Sequence, residues 1–390
     1  MDTSALLNVA NTQIENFLRD LERVVNIDSG TYTPDGVALV ADAFQEWFET
    51  SGALVERVPG KEHDGERHGP HLIARWPGKG KSRILLIGHM DTVFPDGEVG
   101  RRPFRIEAGR AYGPGVQDMK SGLLVGLYAA RALREEAPWA ELVFLCNSDE
   151  EIGSPTSHDL VAHLASEADA VLVLEPNKAV ERVNIARKGV ASFRLEVTGL
   201  SSHAGVEPEK GHNAIIELAH RMIAVNALNG TISGVTLNVG VVHGGERPNI
   251  VPDHAYALID VRSPDHEGVA AVEAALRRVV EAAPTVAGTE TRLSGSFQHK
   301  PFTQSPASAR IFALADEVAH ELGFALVGAP TGGGSDGNTA ANVGAATLDG
   351  LGPAGAHAHN PGEYIDIASV APRIALLGGL ISRIEASHRR

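Results

Sequence analysis

Arg83-Ile84-Leu85-Leu86-Ile87-Gly88-His89-Met90-Asp91 is the stretch on which the fold turns. Its first half is a continuous apolar run of strand length. That pattern describes a strand buried on both faces rather than one with a wet side. Its second half changes at once to an imidazole and a carboxylate. Two further runs repeat the change: 142–146 (LVFLC) leads into Asn147-Ser148-Asp149-Glu150-Glu151, and 170–174 (AVLVL) leads into Glu175-Pro176. Short apolar strands alternating with helices, here predicted at 5–26, 36–50 and 121–134, describe an α/β sheet covered on both faces. Open sheets of that class bind ligands outside the carboxyl ends of their strands, which is where these polar residues collect.

The texture changes near residue 187. Segments 191–197, 235–242 and 255–262 read as strands, and 290–296 as a fourth. Segments 211–228 and 266–283 read as helices. The order β-α-β-β-α-β is that of a ferredoxin-like sandwich. From about 298 the α/β texture returns, with helices at 308–322 and 367–384 and a strand at 345–348. The expected organisation is therefore a catalytic domain of residues 1–186 and 298–390, interrupted by an α+β insert at 187–297. At 390 residues the chain has room for two domains.

Composition narrows the function. Apolar residues at 43% and charged ones at 21% exclude a disordered chain. Acidic residues number 49 against 34 basic ones, a net charge of −15, which argues against a nucleic-acid or anionic-membrane partner. The single cysteine, Cys146, permits neither an intrachain disulfide nor a cysteine-based zinc site. No signal peptide is expected from Met1-Asp2-Thr3-Ser4, no run of 18 apolar residues suggests a membrane span, and a cytoplasmic location is the expectation.

A lone acidic residue after a strand is ordinarily a solvated loop residue or a helix cap. Several imidazoles and carboxylates at the strand ends of one sheet are a metal-ligand set of the kind that borderline divalent ions take. The candidates here are His89 and Asp91, Asp118 in the turn Tyr112-Gly113-Pro114-Gly115-Val116-Gln117-Asp118, Asp149, Glu150 and Glu151, Glu175, and the loop histidines His357 and His359.

The segments GHMDTV (88–93), YGPGVQDMKSG (112–122), SDEEIGS (148–154), LEP (174–176) and HNPGEY (359–364) occur in this order. With the insert, they resemble the M20 metallopeptidase family over nearly the whole chain, in particular its glutamate carboxypeptidase branch. The resemblance implies a mixed-sheet dizinc hydrolase domain and an inserted lid and dimerisation domain. It makes His89, Asp118 and Glu175 the ligands of one zinc ion, and Asp118, Glu151 and His359 those of a second, with cobalt or manganese as substitutes. His359 is preferred to His357 because it stands four residues before Glu363-Tyr364. Glu150 becomes the general base and Asp91 the carboxylate that orients His89. The Asp118–Met119 peptide bond is expected to be cis. In the lid, Gly199-Leu200-Ser201-Ser202-His203-Ala204-Gly205 matches the family signature whose histidine acts in a dimer partner's site. Arg262 and Asn249 match positions that hold a substrate carboxylate, as a guanidinium fork suits, with Lys188 a weaker candidate. The glycine-rich loop containing Gly334 and Ser335 lacks the lysine of a phosphate-binding loop. The resemblance has it line the substrate pocket, with Asp336 a turn residue.

The implied reaction is hydrolysis of the amide bond to a carboxyl-terminal amino acid, glutamate being the leading case, in a short peptide or N-acyl amino acid. The partners implied are that small-molecule substrate and a second copy of the chain through residues 187–297. Alternatives are an N-acyl amino acid deacylase, an aminopeptidase, which would need an acidic anchor for the substrate ammonium, and a non-catalytic metal-binding homologue.

Overall fold

The structure, a computed structural model, describes residues 2–388. The chain divides into two compact units, one of residues 1–186, 304–330 and 335–390, the other of 187–303 and 331–334. The insert expected at 187–297 thus runs on to 303 and takes in the glycine-rich loop 331–334.

The first unit is built on a six-stranded sheet. Its strands are β1 (Leu54–Val58), β2 (His71–Pro77), β3 (Arg83–His89), β4 (Glu141–Asn147), β5 (Ala170–Val173) and the short strand Thr347–Leu348. The order is β1-β2-β4-β3-β5 followed by Thr347–Leu348. β1 and β2 are antiparallel to their neighbours, while β4, β3, β5 and Thr347–Leu348 run parallel, so the sheet is mixed. The continuous apolar run in β3 has a direct cause. Ile84 and Leu86 join a core with helices Thr3–Thr12, Pro34–Thr50, Ser121–Ala132 and Val370–His388. Leu85 and Ile87 point the other way, into a core with Val161 and Leu164 of helix His158–Ser166 and Ala340 of helix Asp336–Asn342. Period-two alternation is hidden because both faces are dry.

The helix expected over 5–26 is two helices, Thr3–Thr12 and Ile14–Val25, broken at Gln13. Neither glycine nor proline marks that break, and the apolar spacing runs on through it, so periodicity alone does not show it. The segment Ile367–Ser387 is long and apolar enough to cross a membrane. In this fold it is mostly buried, as the core helix against which Thr3–Thr12, Ser121–Ala132 and Pro306–Glu321 pack.

The second unit carries an antiparallel sheet of β6 (Gly189–Thr198), β7 (Thr236–Gly244), β8 (His254–Ser263) and β9 (Glu290–His299), in the order β7-β8-β6-β9. Helices Ala214–Asn226 and His266–Glu281 cover one face. Their Leu218, Val225, Val272 and Leu276 close a core with Phe193, Leu195, Val197, Ile259 and Val261. Strand order and helix placement are those of a ferredoxin-like sandwich.

Candidate active site

Parallel pairing gathers four donors. β3 and β4 run side by side with His89 opposite Asn147, so the turn after β4 brings Glu150 and Glu151 to the end of β3. β5 flanks β3 on its other side and ends just before Glu175. The remaining two donors come from a separate four-stranded sheet, ordered Gly355–Ala356, Tyr364–Asp366, Arg110–Tyr112, Arg105–Glu107. Tyr364 pairs with Tyr112. The strand Arg110–Tyr112 leads into the turn that holds Asp118, and the hairpin Gly355–Ala356/Tyr364–Asp366 carries the loop that holds His359. One backbone register therefore places both loops together. The Asp118–Met119 peptide bond is cis.

Asp118 stands between two imidazoles. One carboxylate oxygen is 3.2 Å from Nε2 of His89, and the other is 3.3 Å from Nε2 of His359. Glu151 lies 3.2 Å from the same His359 nitrogen, while Glu175 and Glu150 approach Nε2 of His89 at 3.7 and 3.9 Å. Donor atoms of His89, Glu150 and Glu175 lie within 4.8 Å of one another, as do those of His89, Asp118 and Glu151. These overlapping groups divide the cluster differently from the family-implied sets, because Glu150 joins His89 and Glu175. His357 lies outside the cluster, against the Tyr364 ring. Both His357 and His359 have left-handed backbone, at φ 70° and 62°, a conformation that costs energy in a residue other than glycine.

Asp91 is fully buried behind His89. Nδ1 of His89 is 3.0 Å from the Asp91 carbonyl and 3.4 Å from its carboxylate, which directs Nε2 toward Asp118. The same carboxylate accepts the Thr31 hydroxyl at 2.7 Å and the amides of Glu150 and Glu151 at 3.3 Å. It thereby ties the His89 ring to the turn bearing the two glutamates.

The electrostatics are those of a cation site. Burial alone would lower the pKa of His89, yet Asp118 and Asp91 raise it well above the usual range. Asp118 and Glu151 lift His359 to about 10. Burial works to raise Asp118, but His359 and His89 hold it below the usual carboxylate range. Burial raises Glu150 and Glu151, and neighbouring carboxylates add to it. The carboxylates hold the two imidazoles charged, while the two glutamates are raised chiefly by their own burial. One Glu151 oxygen is buried with no hydrogen-bond partner while the other meets His359. Imidazoles, carboxylates and an orphaned buried oxygen together fit borderline divalent cations.

The lid candidates lie in the second unit. Nδ1 of exposed His203 accepts the Gly205 amide at 3.1 Å, and the Asn249 carbonyl accepts the Ala204 amide. Arg262, expected to be open to a substrate carboxylate, closes its fork on Asp260 at 2.9 and 2.8 Å. The carbonyl of Gly334 accepts from Arg187, and the Lys188 ammonium donates to the Gly234 carbonyl. Ser335, in the first unit, is a helix cap. Its buried hydroxyl accepts the Gly337 amide and donates to Asp349 at 2.6 Å, so it is not a free pocket-lining group. Asp336 is buried and accepts from Asn147 and Ser154, both at 2.6 Å, which makes it more than a turn residue. Sequence reasoning missed the supporting roles of Thr31, Gln117, Lys120 and Glu363. All but Thr31 lie inside quoted motifs, so the signal was present without a direction.

Comparison with known proteins agrees with this geometry. Residues 85–383 match Peptidase family M20/M25/M40. The chain is 30% identical to carboxypeptidase G2 of Pseudomonas sp. (strain RS-16), over 98% of this chain and 92% of that protein. It is 29% identical to acetylornithine deacetylase of Proteus mirabilis (strain HI4320), over 86% and 87%. In fold it is similar to a tripeptidase from Staphylococcus aureus subsp. aureus mu50, with a TM-score of 0.81, 22% identity, and 96% and 99% of the two chains covered. Matched along most of its length in sequence, and carrying a His-carboxylate cluster at the carboxyl ends of its central strands, the chain belongs to peptidase family M20/M25/M40, a family of metal-dependent hydrolases.

Proposed function

We propose that the protein hydrolyses the amide bond to a carboxyl-terminal amino acid, with glutamate as the leading case, in a short peptide or N-acyl amino acid. The observation that carries this reading is Asp118, whose two oxygens each face a different imidazole. A carboxylate so placed suits a bridge between two cations. In this reading His89, Asp118 and Glu175 hold one zinc ion, and Asp118, Glu151 and His359 the other. Bound there, the ions would acidify the attacking water and polarise the scissile carbonyl.

The chain's own groups do the rest. Glu150 takes the proton of the attacking water and returns it to the leaving nitrogen. Burial raises its proton affinity toward the range in which a carboxyl group can do both. Asp91 fixes the His89 ring. Arg262, on exchanging Asp260 for the substrate, would hold the substrate carboxylate with Asn249, the Gly334 loop would line the pocket, and His203 would support the reacting carbonyl from a partner subunit. The likeness to acetylornithine deacetylase favours one second reading, an N-acyl amino acid deacylase. That enzyme would use the same catalytic groups with a different acyl pocket.

A panel of N-acyl glutamates, other N-acyl amino acids and dipeptides separates the two readings. The expected result is fastest turnover of substrates that release glutamate. Preference for small acyl groups, whatever the amino acid, would favour the deacylase. In parallel, Glu150→Ala should keep wild-type metal content by mass spectrometry and lose on the order of 10²–10⁴-fold in rate. Undiminished turnover by that variant would remove Glu150 from the base role.

A further inference from the structure

Glu363 and Gln117 form a structure of their own beside the metal-ligand cluster. The side chain of Glu363 is fully buried. One oxygen accepts the Gly115 amide at 3.0 Å, and the other accepts the amides of Gln117 and Asp118 at 2.8 and 2.9 Å. Three N–H groups of the turn that presents Asp118 thus converge on one carboxylate from a loop some 245 residues away in sequence. A return tie runs the other way: the Gln117 side-chain oxygen accepts the Ala358 amide at 3.1 Å, immediately before His359. Gln117 is itself buried. Neither residue contributes a donor atom to the cluster.

Charge-assisted bonds to backbone amides are among the stronger ones, and a buried amide deprived of its acceptor is costly. Asp118 has no slack, because each of its oxygens is committed to a different imidazole. A small rotation of its peptide would spoil both contacts at once. The left-handed backbone of His357 and His359 leaves their loop in a conformation that needs outside support.

We propose that Glu363 is a positioning residue. It fixes the Asp118 turn through three amides and, with Gln117 bonded back to Ala358, locks that turn and the His359 loop into one frame. The consequence for cation binding rests on the reading of the cluster given above. The positioning itself does not.

The test compares wild type, Glu363→Gln and Gln117→Ala as full-length proteins. In metal-free protein, hydrogen–deuterium exchange of peptides covering 113–119 and 356–362 should quicken by about tenfold or more in Glu363→Gln, with β3 unchanged. Gln117→Ala should quicken 356–362 and leave 113–119 protected. Titration with zinc against a chromophoric chelator should show the weaker-bound ion losing affinity by about tenfold or more in Glu363→Gln. A merely structural role would instead lower the unfolding midpoint and loosen the first unit evenly. Unchanged exchange in both peptides, or uniform loosening, overturns the proposal. If Glu363→Gln does not accumulate folded, Gln117→Ala decides, and unchanged exchange at 356–362 overturns it. Uptake of fewer than two zinc ions by wild type would sink the two-cation reading, while the exchange pattern would still decide Glu363.

Discussion

Lys120 shows at the scale of one residue how much the active-site turn is held from behind. Its side chain is fully buried, and its ammonium donates to the carbonyls of Val24 and Ile27 at 3.0 and 2.9 Å. Val24 lies in the last turn of helix Ile14–Val25 and Ile27 two residues past its end, so Lys120 moors the end of that helix two residues from Asp118. Desolvation lowers its pKa from 10.5 to about 7, against the pull of Glu363 and Asp28. The folded pKa is below the unfolded one, so the unfolded chain binds more protons between them. Stability from this group is therefore least below pH 7 and rises as pH climbs toward 10.5. Lys120→Met removes both the titration and the two hydrogen bonds. The wild type should gain on the variant by up to about 1.4 kcal/mol per pH unit above pH 7. Urea unfolding of both proteins at pH 7, 8 and 9, with chelator present, reads the difference. Parallel curves would mean that Lys120 does not titrate in this range.

At the scale of elements, the site depends on how closely helix Ser121–Ala132 meets the end of β5. A Cβ at Gly122 would stand 2.1 Å from the Leu174 carbonyl oxygen, one residue before Glu175. On propensity alone, alanine would stabilise a helix by about 1 kcal/mol over glycine. Overlap with a backbone oxygen has no flexible side chain to yield, and overpacking costs about 1–3 kcal/mol or more. Gly122→Ala should therefore be destabilised in urea, and should hold metal less tightly because Glu175 moves. A variant more stable than wild type would show that helix and strand can separate freely.

The same scale explains what the sequence could reveal. β3, β4 and β5 declared themselves because each is a full apolar run ending in donors. The sheet that carries His359 did not, because its strands are two or three residues long and its two hairpins join across some 250 positions. Its motif gave the donor but not the support. Burial of Lys120, Gln117 and Glu363 was equally hidden, since polar residues inside a loop motif look solvated until the packing around them is known.

At the scale of the whole molecule, the open edges of the second unit bear on assembly. An unpaired edge strand invites strand addition. The two edges of this sheet differ. β9 is largely polar, with Thr291, Arg292, Ser294, Ser296 and Gln298 along it. β7 exposes Val241 at 40% and Val242 at 51%, and helix Ala214–Asn226 exposes Ile215, Ile216 and Ile223. A twofold axis beside β7 would pair like edges into one continuous sheet and cover that apolar surface in both copies. This favours a homodimer through β7, with His203 of each copy serving the other's cluster. Complementation tests it. Glu150→Ala and His203→Ala should each be nearly inactive alone. In a heterodimer, one site keeps its own Glu150 and receives an intact His203 from the Glu150→Ala subunit. With equal mixing and free exchange, half of the dimers are mixed and each has one working site of two, so activity should recover to about a quarter of wild type. No recovery despite demonstrated exchange, or a stable active monomer, would end the shared-site proposal. Val242→Asp should act in the same direction, splitting the dimer and lowering turnover in wild-type background while the first unit keeps its metal.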